Sequence, residues 1–185
     1  MPVKLALAPL ALAAVLAAGC GGGGSSSSSS PSPTDWADDL CSAITTWSTS
    51  VKEAGESLKN GSLSSGDLKQ TTSEIKSATN EFADDLRGLG KPDTDAGQEA
   101  KDAIDQLAAQ IKEDVANLQS AVNDAVGSGT KGAVTAASSI ATSLSTMSTQ
   151  TASAASKLQQ ADAKGELEQG FRDAPACKKL QQQGS

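Results

Sequence analysis

Residues 100–126 read AKDAIDQLAAQIKEDVANLQSAVNDAV, and the apolar positions in this stretch decide the fold. Ala100, Ile104, Leu107, Ile111, Val115, Leu118, Val122 and Ala125 succeed one another at intervals of four and three. A helix of 3.6 residues per turn gathers such positions on one face, whereas a half-buried strand would alternate every second residue. Charged and amide side chains fill the remaining positions, so the stretch predicts a long helix with one face buried. Gly127-Ser128-Gly129 ends it.

The same period recurs on either side. Upstream, one stripe runs Trp36, Leu40, Ile44, Trp47, Val51, Ala54, Leu58 and stops at Asn60-Gly61. Thr34 is the expected N-cap, with Asp35 favourable in the first turn. A second stripe runs Leu68, Thr72, Ile75, Thr79, Phe82, Leu86, Leu89 and stops at Gly88, Gly90 and Pro92. Asp93, Thr94 or Asp95 is the expected N-cap of the helix that follows. Downstream, Ala137, Ile140, Leu144, Met147, Thr151, Ala154, Leu158 and Ala161 form a fourth stripe, closed by Lys164-Gly165. A shorter tail carries Leu167, Phe171, Cys177 and Leu180 and is interrupted by Pro175. Four amphipathic helices of about 23 to 31 residues joined by short glycine-bearing turns predict an all-α fold. The expected architecture is an up-down-up-down four-helix bundle with a short C-terminal helical tail, spanning residues 34–182.

Composition narrows the chemistry. Of 185 residues, 37% are hydrophobic but only 2% aromatic, and there is no histidine. That excludes a Ser-His-Asp or Cys-His nucleophile pair, a histidine general base and every histidine-ligated metal site. Trp36 and Trp47 lie eleven residues apart, three helical turns on one face. With Phe82 they are candidate ligand-facing residues, although in a chain this poor in aromatics a role as core anchors weighs more.

Before the helices, Met1 to Lys4 form a short positive segment followed by an apolar run from Leu5 to Ala18. This is the pattern of a secretory signal, and the run is too short for a transmembrane span of roughly 20 residues. It ends Leu16-Ala17-Ala18-Gly19-Cys20, with small residues before a cysteine, and so resembles the lipobox of bacterial lipoprotein precursors. The usual leucine three positions before the cysteine is replaced by Ala17, with Leu16 one position further back. The resemblance implies cleavage after residue 19 and a thioether-linked diacylglycerol on Cys20, its acyl chains of the palmitate kind. A plain secretory signal is the alternative. Residues 20–33 continue as Gly21 to Gly24, Ser25 to Ser30 and Pro31-Ser32-Pro33, a tether that cannot build a core. As a random coil it reaches on the order of 20 Å.

Cysteine parity supports the anchor. With Cys20 lipidated, Cys41 and Cys177 remain to pair; with Cys20 free, an exported chain keeps an odd thiol. In an up-down-up-down bundle the start of the first helix lies beside the end of the fourth; Cys41 sits near that start and Cys177 just beyond that end, so the short tail can fold back and the two can meet. Their bond would close a loop of over a hundred residues and contribute roughly 5 kcal/mol by chain entropy. Removal of residues 1–19 takes away only Lys4, leaving 14 basic against 22 acidic residues and a net charge of −8. Nucleic acid and anionic headgroups are disfavoured partners for such a surface.

The Trp36 to Cys41 opening, the Leu89-Gly90-Lys91-Pro92-Asp93-Thr94 turn with Gly97 and Ala100, and the Ala174-Pro175-Ala176-Cys177 close resemble small exported helical lipoproteins of high-GC Gram-positive bacteria. The resemblance covers most of residues 34–182, rests on turn and packing residues, and implies location and fold without an assigned activity.

No motif supplies a reaction. Asp38-Asp39, Asp84-Asp85 and Glu113-Asp114 are adjacent pairs, whose side chains diverge on a helix instead of converging on one substrate atom. Asp93, Asp95 and Glu99 around Gly97 fail the calcium-loop pattern, which needs Gly sixth and Glu twelfth where Gln98 and Ile104 stand. No G-x-S-x-G or activated S-x-x-K is present. Between Lys131 and Lys157 the chain carries no charge and is mostly Ser, Thr and Ala. That stretch reads as a small-residue core helix ahead of a polar interaction face or a glycosylated surface. The expectation is a non-enzymatic binding or structural module, without cofactor or metal. It is held to the extracytoplasmic face of the bacterial cell membrane through Cys20 and meets an unidentified envelope protein or ligand. The alternative is a small-ligand or lipid carrier with a cavity between its helices.

Overall fold

The computed structural model describes residues 30–60 and 64–183. Its elements are α1 (Pro33–Asn60), α2 (Ser65–Gly88), α3 (Gly97–Val126), α4 (Gly129–Ala161), α5 (Glu166–Asp173) and α6 (Pro175–Gln183). Among the described residues there is no strand, and the fold is all-α, with six helices packed against one another. The long helices pack in chain order, α1 on α2, α2 on α3 and α3 on α4, and α2 also touches α4.

The helix starts differ from the expected caps. α1 begins at Pro33, one residue before Thr34, and Ser32 caps it: its Oγ accepts from the Asp35 backbone N–H at 3.2 Å. Proline suits the first helical position because its fixed φ is helical and its missing N–H would have had no partner. α3 begins at Gly97 and receives no side-chain cap from Asp93, Thr94 or Asp95. Backbone closes this end instead, the Gly97 N–H donating to the Thr94 carbonyl at 3.0 Å. A Cβ at Gly97 would collide with the Pro92 carbonyl, so this tight turn requires glycine. α2 starts conventionally, with Ser64 Oγ accepting from the Asp67 N–H.

The core follows the stripes. Leu68, Ile75, Phe82 and Leu86 of α2 meet Ile104, Leu107, Ile111, Val115, Leu118 and Val122 of α3, and Ile140, Met147 and Leu158 of α4 join them. The stripe of α3 ends on Val126, which is buried, while Ala125 is half-buried. Small residues allow α4 to lie close: Ala133, Ala136 and Ala154 are all buried. Thr72 and Thr79 are also buried, and Thr72 satisfies its hydroxyl on the Leu68 carbonyl at 2.7 Å.

The tail folds back onto α1, as the cysteine positions predict, but the fourth helix does not lie beside the first. No backbone contact joins α1 to α4 among the described residues; α5 and α6 stand beside α1. Gly165, with φ of 72°, turns the chain after α4. Gly170 then lets α5 settle on the start of α1, where an added Cβ would stand 2.6 Å from the Pro33 carbonyl oxygen. α6 begins at Pro175, and its Ala176 N–H donates at 2.7 Å to the Asp38 carboxylate of α1. A carboxylate 138 residues away thus caps this short helix, satisfying an N–H that the helix itself leaves open.

Candidate functional site

Cys41 of α1 and Cys177 of α6 are joined by a disulfide across 136 residues of sequence. With Ala37 and Ala174 they form a second small buried cluster, against which Phe171, Ala176 and Leu180 pack. The disulfide and the α5–α6 tail together border a half-open, largely apolar space. It is a cavity of about 380 Å³, walled by Ala155 and Leu158 of α4, Leu167 and Phe171 of α5, and Leu180 of α6, with the disulfide on its α1 side. Its volume lies at the lower end of the range for small-molecule sites.

Polar groups gather only at its rim. Arg172 is held by Glu168 at 3.0 Å on the same helix, four residues away. Asp162 accepts from the Glu168 backbone N–H at 2.8 Å, capping α5. Gln181 completes the rim. Two carboxylates and one guanidinium therefore line it, the guanidinium being paired with Glu168.

The expected ligand-facing aromatics lie elsewhere. Trp36 is fully buried, and its indole N–H donates to the Gly90 carbonyl at 3.2 Å. Trp47 stacks on Phe82 with ring centroids 5.0 Å apart, and its indole N–H donates to Thr79 Oγ1 at 3.1 Å. Both indoles are anchors with their polar atom satisfied. None of the three lines the apolar cavity, though Trp36 stands directly behind its wall, edge-on to Phe171 at 6.1 Å. Cys20 lies outside the described residues.

One carboxylate of each adjacent pair has a partner of its own. Asp38 caps α6, Asp84 accepts from Lys112 at 2.6 Å, and Asp114 accepts from the Gln150 amide at 2.6 Å. The Lys112 hydrogen bond holds the Asp84 carboxyl below its usual value. Partial desolvation, with Asp38 and Asp35 nearby, pushes that of Asp39 up. No group of three or more potential metal ligands occurs among the described residues, and none of the helices is long and apolar enough to cross a membrane.

The cavity was hidden in the sequence because its walls come from four helices, one of them docked against α1 through a remote cap. One available signal was the pairing of Leu167 with Phe171 four residues on, which gives α5 a single apolar edge. Compared with known proteins, the chain matches no family model, no curated protein sequence and no solved structure.

Proposed function

We propose that the chain is an extracytoplasmic lipoprotein of a bacterial cell membrane, held by diacylglycerol on Cys20, whose helical domain is a binding module of the cell envelope. The observation that carries this reading is the succession in the first 33 residues: a basic start, an apolar run, small residues before Cys20, then a Gly/Ser/Pro tether. The disulfide adds support, because such bonds persist in oxidising, extracytoplasmic compartments. Two acyl chains would hold the domain stably where one would bind reversibly. Within this reading the four long helices run up-down-up-down, as their short connections and sequential packing favour, with α5 and α6 as the tail.

Cys20→Ala tests it. In cells expressing the full chain, the wild-type protein is expected in the membrane fraction, and the variant as unprocessed precursor or in the soluble extracytoplasmic fraction. Wild type and variant distributing identically would refute the anchor. The carrier reading is favoured by one specific observation, the apolar cavity beside the disulfide.

A further inference from the structure

From this cavity we infer a binding site for a single aliphatic chain bearing an uncharged or cationic head, and not for a fatty-acid anion. This rests on the carrier reading above. Inside, Leu158, Leu167, Phe171 and Leu180 offer no hydrogen-bonding side chain, so an entering segment must be apolar along its length. At the mouth, the head of the ligand meets Asp162, Glu168 and Arg172, two carboxylates and one guanidinium, of which Arg172 and Glu168 pair with each other. The residual charge is negative, which repels a carboxylate or phosphate head and tolerates a hydroxyl, a glyceride or an ammonium.

The site also sits where such ligands are abundant if the anchor reading holds. Pro33, where the tether enters α1, touches Gly170, and the neighbouring Phe171 is part of the cavity wall. The cavity is therefore at the tethered end of the domain, within on the order of 20 Å of tether reach from the bilayer. A molecule that partitions into the membrane has a short path to it. The disulfide sets the cavity's width, since it holds α6, which carries Leu180, against α1.

The test uses the mature chain, Cys20–Ser185, with Cys20→Ser so that no acyl group is attached and the outcome is independent of the anchor. Isothermal titration with 1-decanol, decyltrimethylammonium and decanoate holds the chain constant and varies the head. Decanol and decyltrimethylammonium are expected to bind with Kd of about 100 µM or tighter. Decanoate is expected to bind at least about fivefold more weakly, the effect of one like charge at an exposed rim. Ala155→Phe fills the cavity from an exposed position, and Leu180→Gln places an amide in its wall; each should weaken decanol binding at least about tenfold while circular dichroism stays unchanged. Absence of binding by all three probes, equal binding by both variants, or a preference for decanoate would overturn the proposal. Loss of lipid from Cys20, measured separately by mass, would refute the anchor and leave the site standing.

Discussion

Replacing both Cys41 and Cys177 with alanine removes the bond that holds the tail, and the structure sets the size of the effect. Closure of a loop of 136 residues restricts the unfolded chain by about 5 kcal/mol on the chain-entropy account. That figure is a ceiling here. Among the described residues the α6 backbone lies against α1 and α5 alone, and its apolar burial amounts to Cys177 with the half-buried Leu180 and Ala176. Once unlinked, the nine residues of α6 are free to fray, and each residue released recovers about 1–2 kcal/mol of backbone entropy against the contacts it gives up. The folded state thereby offsets part of the loss, and the net destabilisation should be about 3–4 kcal/mol. Against a total stability of about 5–15 kcal/mol this is a large fraction. With a urea slope of about 2 kcal/mol/M, the unfolding midpoint of the double variant should fall by roughly 1.5–2 M. Hydrogen exchange locates the effect: amides of α6 should lose protection first, while those of α2 and α3 weaken only as far as global stability does. A loss below about 1 kcal/mol, or α6 protection equal to that of the wild type, would refute this reasoning.

Three further substitutions probe other parts of the account. Gly170→Ala forces α5 away from the Pro33 carbonyl and should destabilise by about 1–3 kcal/mol, lowering Tm by about 2–4 °C per kcal/mol in a thermal melt. Phe82→Ala empties a buried site beneath Trp47 and should cost about 3–5 kcal/mol, with a red-shifted Trp47 emission as it loses its stacking partner. Asp39→Asn reports on the raised carboxyl of Asp39. A folded-state value above the unfolded one makes the ionised group unfavourable in the native protein, so stability from its protonated form is present below about pH 3.9 and is lost as pH rises through the folded value. The substitution should therefore stabilise slightly at pH 7, by at most about 0.5 kcal/mol for this exposed position, with the gain vanishing in urea titrations near pH 3.

The long helices were legible because their information is local. Ile104, Leu107, Ile111 and Leu118 carry their period in sequence, and each is buried where that period places it. The pairing of Cys41 with Cys177 was also legible, through parity. The caps were not, for two different reasons. At α1, Thr34 and Ser32 are chemically equivalent caps, and the choice between them turns on Pro33 occupying the first helical position. At α3, three polar candidates yielded to a backbone turn that depends on Gly97 fitting against the Pro92 carbonyl. The cavity was further from reach. It exists because α5 and α6 dock on α1 where a neighbouring α4 was expected, and that docking relies on the bare Cα of Gly170 and the cap from Asp38, both contacts between residues more than a hundred positions apart. The aromatic residues illustrate the same limit. Their spacing marks one helical face, but whether that face meets a ligand or Gly90, Thr79 and Phe82 is decided by the neighbouring helices.

The central claim, a helical domain suspended from the membrane by its first mature residue, is most directly tested by intact mass spectrometry of the protein extracted from cells. The expected species is a chain beginning at Cys20, with residues 1–19 absent and a diacylglycerol on that cysteine, together with the two-hydrogen deficit of the Cys41–Cys177 bond. A chain that begins elsewhere, or that begins at Cys20 with an unmodified thiol, would contradict it.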